Sequence, residues 1–563
     1  MSGVSRSIRD RLLGLLPQRE DWGAVRRSPR RDVLAGLTVA VVALPLALAF
    51  GVASGLGAEA GLVTAVIAGA VAAVFGGSNL QVSGPTGAMT VVLVPVVQRF
   101  GASGVLTVGV LAGLLLIILA VARLGRYVRY LPVSVIEGFT AGIAMVIALQ
   151  QVPAVLGVGD AEGERVWAVA VDAVVRFAAH PHPAPLTLAL GVAALMLLGA
   201  RWRPGWPLSL AAVALATGLA EVLPVDLARI GALPTGLPAP SLDFLDLGAM
   251  GMLLPSALAV AALAALESLL SATVADGMTT GQRHDPDREL FGQGLANLAA
   301  PVFGGVPATA AIARTAVNVR AGGRSKLAAL THAVALAGIV LVAAPVVGRI
   351  PLAALAGVLL ATTVRMVETG SIRALARATR GDALVLMLTF AVTVALDLVT
   401  AVAVGVGVAI IIALRAVTRA ARVEQVPFDR GTHSAEEHAL LTEHIVVYRL
   451  DGPLFFAAAH NFLRQLSDVA DVRVVILRMS RVSTIDATGA QVLGDAVLRL
   501  QGRGITVLLS GIAPGHDEVL TALGVAEQLR RDGLVFPDAP SAVRYARTVA
   551  LGGAQPWAPV AAH

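Results

Sequence analysis

Glu267 and Arg314 are ionisable residues inside stretches that otherwise carry almost no charge, ALAALESLLS and ATAAIARTAV. A carboxylate in such surroundings can hold a proton or a sodium ion, and a guanidinium can supply positive potential to an anion, because a charge kept among apolar residues is costly and is usually kept for a function. The two can also neutralise one another as a structural pair. Two further stretches carry chemistry in the backbone. Ser83-Gly84-Pro85-Thr86-Gly87-Ala88 and Pro307-Ala308-Thr309-Ala310-Ala311 each put a proline where a helix starts, with small residues beside it. The unpaired amides and positive dipole end of such a helix start attract an anion. Gly and Pro also serve close helix packing, and each stretch alone admits that reading; a matched pair favours a site. Glu137 and Asp276 stand near expected segment ends, where solvation suffices to explain them. His180 and His182 flank Pro181 in an expected loop and make a poor metal site.

Elements that could position these groups must lie in a bilayer. The chain has 563 residues, of which 56% are hydrophobic and 14% charged, with a mean hydropathy of +0.79, against roughly half apolar and a quarter charged in soluble chains. The formal charge of +6 is carried by arginine, Lys326 being the one lysine, and basic loops of this kind point to the cytoplasm, not to nucleic acid. With no cysteine, disulfides, thiolate metal sites and cysteine nucleophiles are excluded. No phosphate-binding G-x-x-x-x-G-K-[ST] loop occurs, which disfavours a transport ATPase. The arginines at 6, 9, 11, 19, 26, 27, 30 and 31 argue against a cleavable signal and keep that end inside.

A span needs about 20 apolar residues, and uncharged runs from Val33 to Leu414 supply about fourteen segments once two long runs are split at Gly76-Gly77-Ser78-Asn79 and Gly304-Gly305-Val306-Pro307. With the N-terminus inside, 25 basic residues fall on the inner side and five on the outer, which supports both the count and cytoplasmic termini. Val74-Phe75-Gly76-Gly77 and Val302-Phe303-Gly304-Gly305 repeat at an offset of 228 residues. Seven segments per half then give a 7+7 inverted repeat, a plan that puts half-helix starts near the bilayer midplane. Arg314 is predicted about two turns into the second short helix. Beyond Leu414 charges return. Strands are predicted at 444–448, 472–477 and 505–509 and helices at 457–466 and 489–500, a small soluble α/β domain. The expected division is a cytoplasmic segment 1–31, a transmembrane domain 32–420, a linker 421–438, the α/β domain 439–550 and a tail 551–563.

These stretches carry a family resemblance. Leu44 to Phe50, Gln81 to Val92, Leu131 to Ile143, Glu267 to Thr279, Asp287 to Asn297 and Ala308 to Gly323 closely resemble the SulP anion permeases, and Ser483 to Gly489 resembles the STAS domain that those proteins carry. The resemblance runs in order from about residue 30 to 550. It implies an α-helical membrane protein of fourteen segments in two inverted repeats, divided into core and gate domains, with a cytoplasmic STAS domain. Transport is then by an elevator-like displacement of the core, and the protein is a homodimer in the bacterial inner membrane.

Carried onto this sequence, the family's anion site selects Phe50, Thr86, Gly87, Ala88, Ala311, Ile312, Ala313 and Arg314, and its coupling-ion position selects Glu267 with Ser271. Leu46 stands where many members have Gln or Glu. Ile312 stands where sodium-dependent bicarbonate permeases have Thr, and loss of that hard oxygen favours a coupling proton over sodium. No cofactor is expected beyond the coupling ion, and no metal. The substrate stays open among sulfate, bicarbonate and four-carbon dicarboxylates. Thr488 occupies the position of a serine phosphorylated in soluble STAS proteins, although Asp486 and Thr488 also suit a helix cap. A membrane-bound sensor, with the STAS domain binding a cytoplasmic protein partner and little transport, is the competing reading.

Overall fold

The computed structural model describes residues 14–550 except 19–21, 24, 27, 164, 203–205, 224, 234–235, 247, 280–281, 397, 421, 427–442 and 456–471. The chain divides into two compact units at Gly407 and Val408.

In the first unit the apolar runs become helices, since a backbone in hydrocarbon must satisfy its own hydrogen bonds. They are α1 (Pro29–Ala53), α2 (Ala58–Phe75), α3 (Gly87–Val121), α4 (Val133–Leu156), α5 (Val166–Ala179), α6 (Pro183–Trp202), α7 (Leu208–Val222), α8 (Met250–Met278), α9 (Pro286–Val302), α10 (Ile312–Arg320), α11 (Lys326–Val347), α12 (Leu352–Met366), α13 (Thr369–Ala378) and α14 (Arg380–Ala395), and α15 (Leu398–Ala420) runs across the division between the units. Among the described residues, nine helical stretches are long and apolar enough to cross a membrane. One of them, α3, is broken at Gly101, whose φ of 66° and ψ of −164° only glycine adopts cheaply, so it acts as two segments. Residues 166–179 form α5, separated from α6 by a turn in which His182 Nδ1 lies 2.9 Å from the carbonyl of His180.

Both predicted breaks are present. The chain leaves α2 at Phe75 and α9 at Val302, runs extended, and pairs two short strands, β1 (Ser83–Gly84) and β2 (Thr309–Ala310), antiparallel with Ser83 opposite Ala310. Around this crossing pack α1, α2, α3, α8, α9, α10 and α11. A second bundle combines α4 with α5, α12 and α14, and α6 with α7 and α12, and meets the first through α1 and α3.

The second unit holds a five-stranded sheet in the order β3-β4-β5-β6-β7, made of β3 (Arg422–Val426), β4 (Ile445–Leu454), β5 (Val474–Ile485), β6 (Thr506–Ser510) and β7 (Val535–Phe536). β4 to β7 are parallel and β3 pairs antiparallel with β4. The stretch expected as a linker, 421–438, therefore contributes a sheet strand. Val474, Val475, Ile476, Val507, Leu508 and Leu509 are fully buried between α16 (Ala487–Gly502), α17 (Pro514–Ala522), α18 (Val525–Arg531) and α19 (Ala539–Ala550). The helix predicted at 457–466 lies outside the described residues.

Asp486 caps α16, its Oδ1 accepting the Gly489 amide at 2.7 Å, while Thr488 is exposed in the first turn. Asp486→Ala should cost about 1 kcal/mol. Hydrogen exchange across 487–502, measured in the full chain, should then accelerate roughly fivefold; unchanged exchange would show that the cap adds nothing.

Candidate functional site

The crossing of β1 and β2 launches two helices in opposite directions. α3 begins at Gly87, with Thr86 at its N-cap, and α10 at Ile312, with Ala311 at its N-cap. Neither N-cap side chain bonds its own helix, and Ala311 has no atom that could. The amides of the first turn have no partner within a helix, so Gly87, Ala88 and Met89 on α3 and Ile312, Ala313 and Arg314 on α10 offer two sets of donors at positive dipole ends.

The second set starts later than the sequence suggested. Pro307 does not open α10: residues 307–311 are extended, the Ala310 amide donates to Ser268 Oγ at 3.2 Å, and the Ala311 amide donates to the Val82 carbonyl at 3.2 Å. Arg314 accordingly stands at the third position of α10 and not two turns in. Its Nη2 donates to the Pro85 carbonyl at 2.9 Å, and the residue is 2% exposed. The guanidinium thus crosses to the segment that starts α3. A Cβ on Gly84 would lie 2.4 Å from its Nη1, so a larger residue there would displace the guanidinium.

Glu267, on α8, is joined to the first half-helix. Thr86 Oγ1 donates to Glu267 Oε2 at 3.0 Å. Among the described residues, Glu267 and Arg314 form no direct ion pair; each is hydrogen-bonded to the same segment, 85–86. Ser271, one turn along α8, turns its hydroxyl to Thr315 Oγ1 at 3.0 Å, and Thr315 Oγ1 also accepts the Val82 amide at 3.2 Å. Its contact is with α10, not with the Glu267 carboxylate.

Phe50 and Gly87 do come together. A Cβ on Gly87 would lie 3.1 Å from Phe50 Cε1 and 2.3 Å from Cδ1 of Ile147, a residue of α4 that sequence reading missed. Phe50, Thr86, Gly87 and Ala88 are buried, whereas Ala313 is exposed and Ile312 is 43% exposed. The start of α3 is covered by two apolar side chains and that of α10 is open.

Sequence reading also missed the polar residues that hold the extended segments. Asn297 mimics a strand, with Nδ2 donating to the Ala308 carbonyl and Oδ1 accepting the Ala308 amide, both at 2.8 Å. Gln293 Nε2 donates to Ser83 Oγ at 2.7 Å and to Glu289 Oε1 at 2.9 Å. Glu289 Oε2 accepts the amides of Gly77 and Ser78. Gln81 Nε2 donates to the Ser268 carbonyl at 2.7 Å, and Thr64 Oγ1 to the Val306 carbonyl at 3.0 Å. Lys326 Nζ donates to the carbonyls of Val74 and Gly76. The one available signal was spacing: Glu289, Gln293 and Asn297 recur every four residues on one face of α9. Among the described residues, no group of three or more His, Asp or Glu could hold a metal.

Comparison with known proteins gives the family and the fold. Residues 30–389 match the sulfate permease family and residues 439–542 the STAS domain. The putative sulfate transporter YvdB of Bacillus subtilis is 35% identical over 512 residues, covering 89% of this chain and 94% of its own. The bicarbonate transporter BicA of a Picosynechococcus species is 33% identical over 502 residues, covering 84% and 86% respectively. The solved structure of the murine anion transporter Slc26a9 in the inward-facing state superposes with a TM-score of 0.82 over 97% of this chain and 96% of its own; at 19% identity this likeness concerns the fold.

Proposed function

The chain belongs to the sulfate permease family, is an anion transporter and not an enzyme, and from that membership we propose that it moves a small oxyanion across the plasma membrane by secondary active transport driven by protons. The observation that carries this reading is the pair of uncapped half-helix starts at Gly87 and Ile312, with Glu267 bonded to Thr86 at the edge of one of them. An anion held by those amides and a proton held by Glu267 would share one segment, so loading one changes the field on the other. Movement is by elevator-like displacement of the bundle around the crossing against the α4–α7 and α12–α14 bundle, in a homodimer with both termini in the cytoplasm. Proton coupling is favoured over sodium because Ile312 offers no oxygen and Ser271 is engaged with Thr315. The names of the relatives favour sulfate or bicarbonate over a four-carbon dicarboxylate.

Uptake of radiolabelled sulfate, bicarbonate and succinate into proteoliposomes, each under an imposed proton or sodium gradient, tests this reading. Proton-driven accumulation of one oxyanion is expected. No uptake of any anion would leave the sensor reading in its place.

Arg314→Ala should raise the half-saturation concentration about tenfold, since hydrogen bonds to charged groups contribute about 1.5–3 kcal/mol and this one steadies the carbonyl just before the α3 N-cap. If affinity were unaltered and only protein yield fell, Arg314 would be structural.

A further inference from the structure

Arg365 ends α12, Arg373 and Arg377 stand one turn apart on α13, and Arg380 opens α14; all four are exposed. Among the described residues, none of their side chains has an ion pair or hydrogen bond. Some exposed arginines elsewhere find partners, as Arg176 does with Asp172, Arg229 with Glu221 and Arg530 with Asp517. The carboxylates of this corner are mostly engaged. Glu137 Oε1 accepts from Ser371 Oγ at 2.7 Å, and Asp382 Oδ2 accepts from Thr379 Oγ1 at 2.8 Å; Glu368 is exposed at the start of α13.

The row of arginines continues into an exposed, largely apolar stripe. Arg380, Leu384, Met387 and Ala391 are spaced four, three and four apart, which puts them on one face of α14. All are exposed, Leu384 by 56% and Met387 by 61%. Beside Arg365, Val364 is 59% exposed. An exposed face of Leu and Met on a helix of a membrane domain would meet acyl chains, which would put the arginines at its end at headgroup depth. α13 has no buried residue, is tied to α4 through Ser371 and packs on α14. It lies on the side that the arginine asymmetry assigns to the cytoplasm, where the leaflet is anionic.

We propose that α13 and the start of α14 form a docking surface for anionic phospholipid headgroups of the membrane that the protein spans, with the guanidinium forks of Arg365, Arg373, Arg377 and Arg380 on phosphate oxygens. A guanidinium matches phosphate geometry in two parallel hydrogen bonds, and unpartnered guanidinium groups above an apolar stripe fit a molecule with a phosphate at one end and acyl chains at the other. The lipid would anchor the bundle of α4, α12 and α14 at the membrane surface. This inference rests on the membrane reading and not on transport.

The test compares the full-length protein with R365Q/R373Q/R377Q/R380Q and with R165Q/R176Q/R229Q/R349Q, which removes the same charge on the opposite side. Each is purified in mild detergent, checked by gel filtration, and loaded with equal phosphatidylglycerol and phosphatidylcholine; retained lipid is counted by native mass spectrometry. The expected result is preferential retention of phosphatidylglycerol by the wild type, at least a tenfold fall in the first variant and little change in the second. Equal retention of both lipids by the wild type, or equal phosphatidylglycerol retention by the two variants, would overturn it. So would conversion of a dimer to a monomer in the first variant with its lipid unchanged, which would assign the face to a second copy of the chain.

Discussion

Gly87→Leu is expected to abolish anion binding while leaving the protein folded. Gly87 supplies the first free amide of α3, and its Cα already lies against the tips of Phe50 and Ile147, so that a bare Cβ would fall 2.3 Å from Ile147 Cδ1. An alanine there needs the end of Ile147 to swing aside and the Phe50 ring to give slightly. A leucine must place three further carbons in the space before the amides, and the anion loses its approach to Gly87, Ala88 and Met89. Each charge-assisted bond contributes about 1.5–3 kcal/mol, so the loss of one weakens binding about tenfold or more and the loss of the set removes it from measurable range. Thr86→Ser keeps the hydroxyl that donates to Glu267 and should be mild. Ile147→Ala in the Gly87→Leu background gives the leucine a place to turn and should restore part of the affinity. Calorimetry on purified variants, with folding checked by gel filtration, reads all three. Wild-type affinity in Gly87→Leu would put the substrate elsewhere.

The two breaks, Glu267, and the small residues at 83–88 were legible because each violates a rule: a span should not be broken by Gly-Gly, and a carboxylate should not sit among Ala and Leu. The start of α10 was not legible. In PATAAIAR the proline reads as a helix start, yet the chain stays extended to Ala311, because the unwound backbone is satisfied from afar by Asn297, Ser268 and Val82. Nothing local to 307–311 encodes those partners. The direction of Arg314 was hidden for the same reason, since its acceptor, the Pro85 carbonyl, is 229 residues away and becomes a neighbour only through the pairing of β1 with β2. β3 was missed because Arg422–Val426 has no apolar alternation of its own and gains strand structure from the edge of β4.

Glu267→Gln is expected to abolish gradient-driven accumulation and to spare exchange of anion for anion. Geometry makes the substitution clean. Glu267 Oε2 accepts from Thr86 Oγ1 at 3.0 Å, and the amide oxygen of glutamine can accept the same bond, so the start of α3 keeps its support. What changes is charge and the capacity to bind and release a proton. If the carboxylate carries the coupling proton, the glutamine form behaves as permanently protonated: it loads anion and moves with it, but draws no work from the proton gradient. Counterflow of labelled anion should therefore continue while accumulation under an imposed proton gradient falls to passive equilibration. Glu267→Ala differs, because it leaves the Thr86 hydroxyl without its acceptor and should weaken binding as well. Unchanged proton-driven accumulation in Glu267→Gln would remove Glu267 from coupling. Loss of counterflow together with accumulation would make it part of the anion site instead, its bond to Thr86 then serving to hold the half-helix in place for binding.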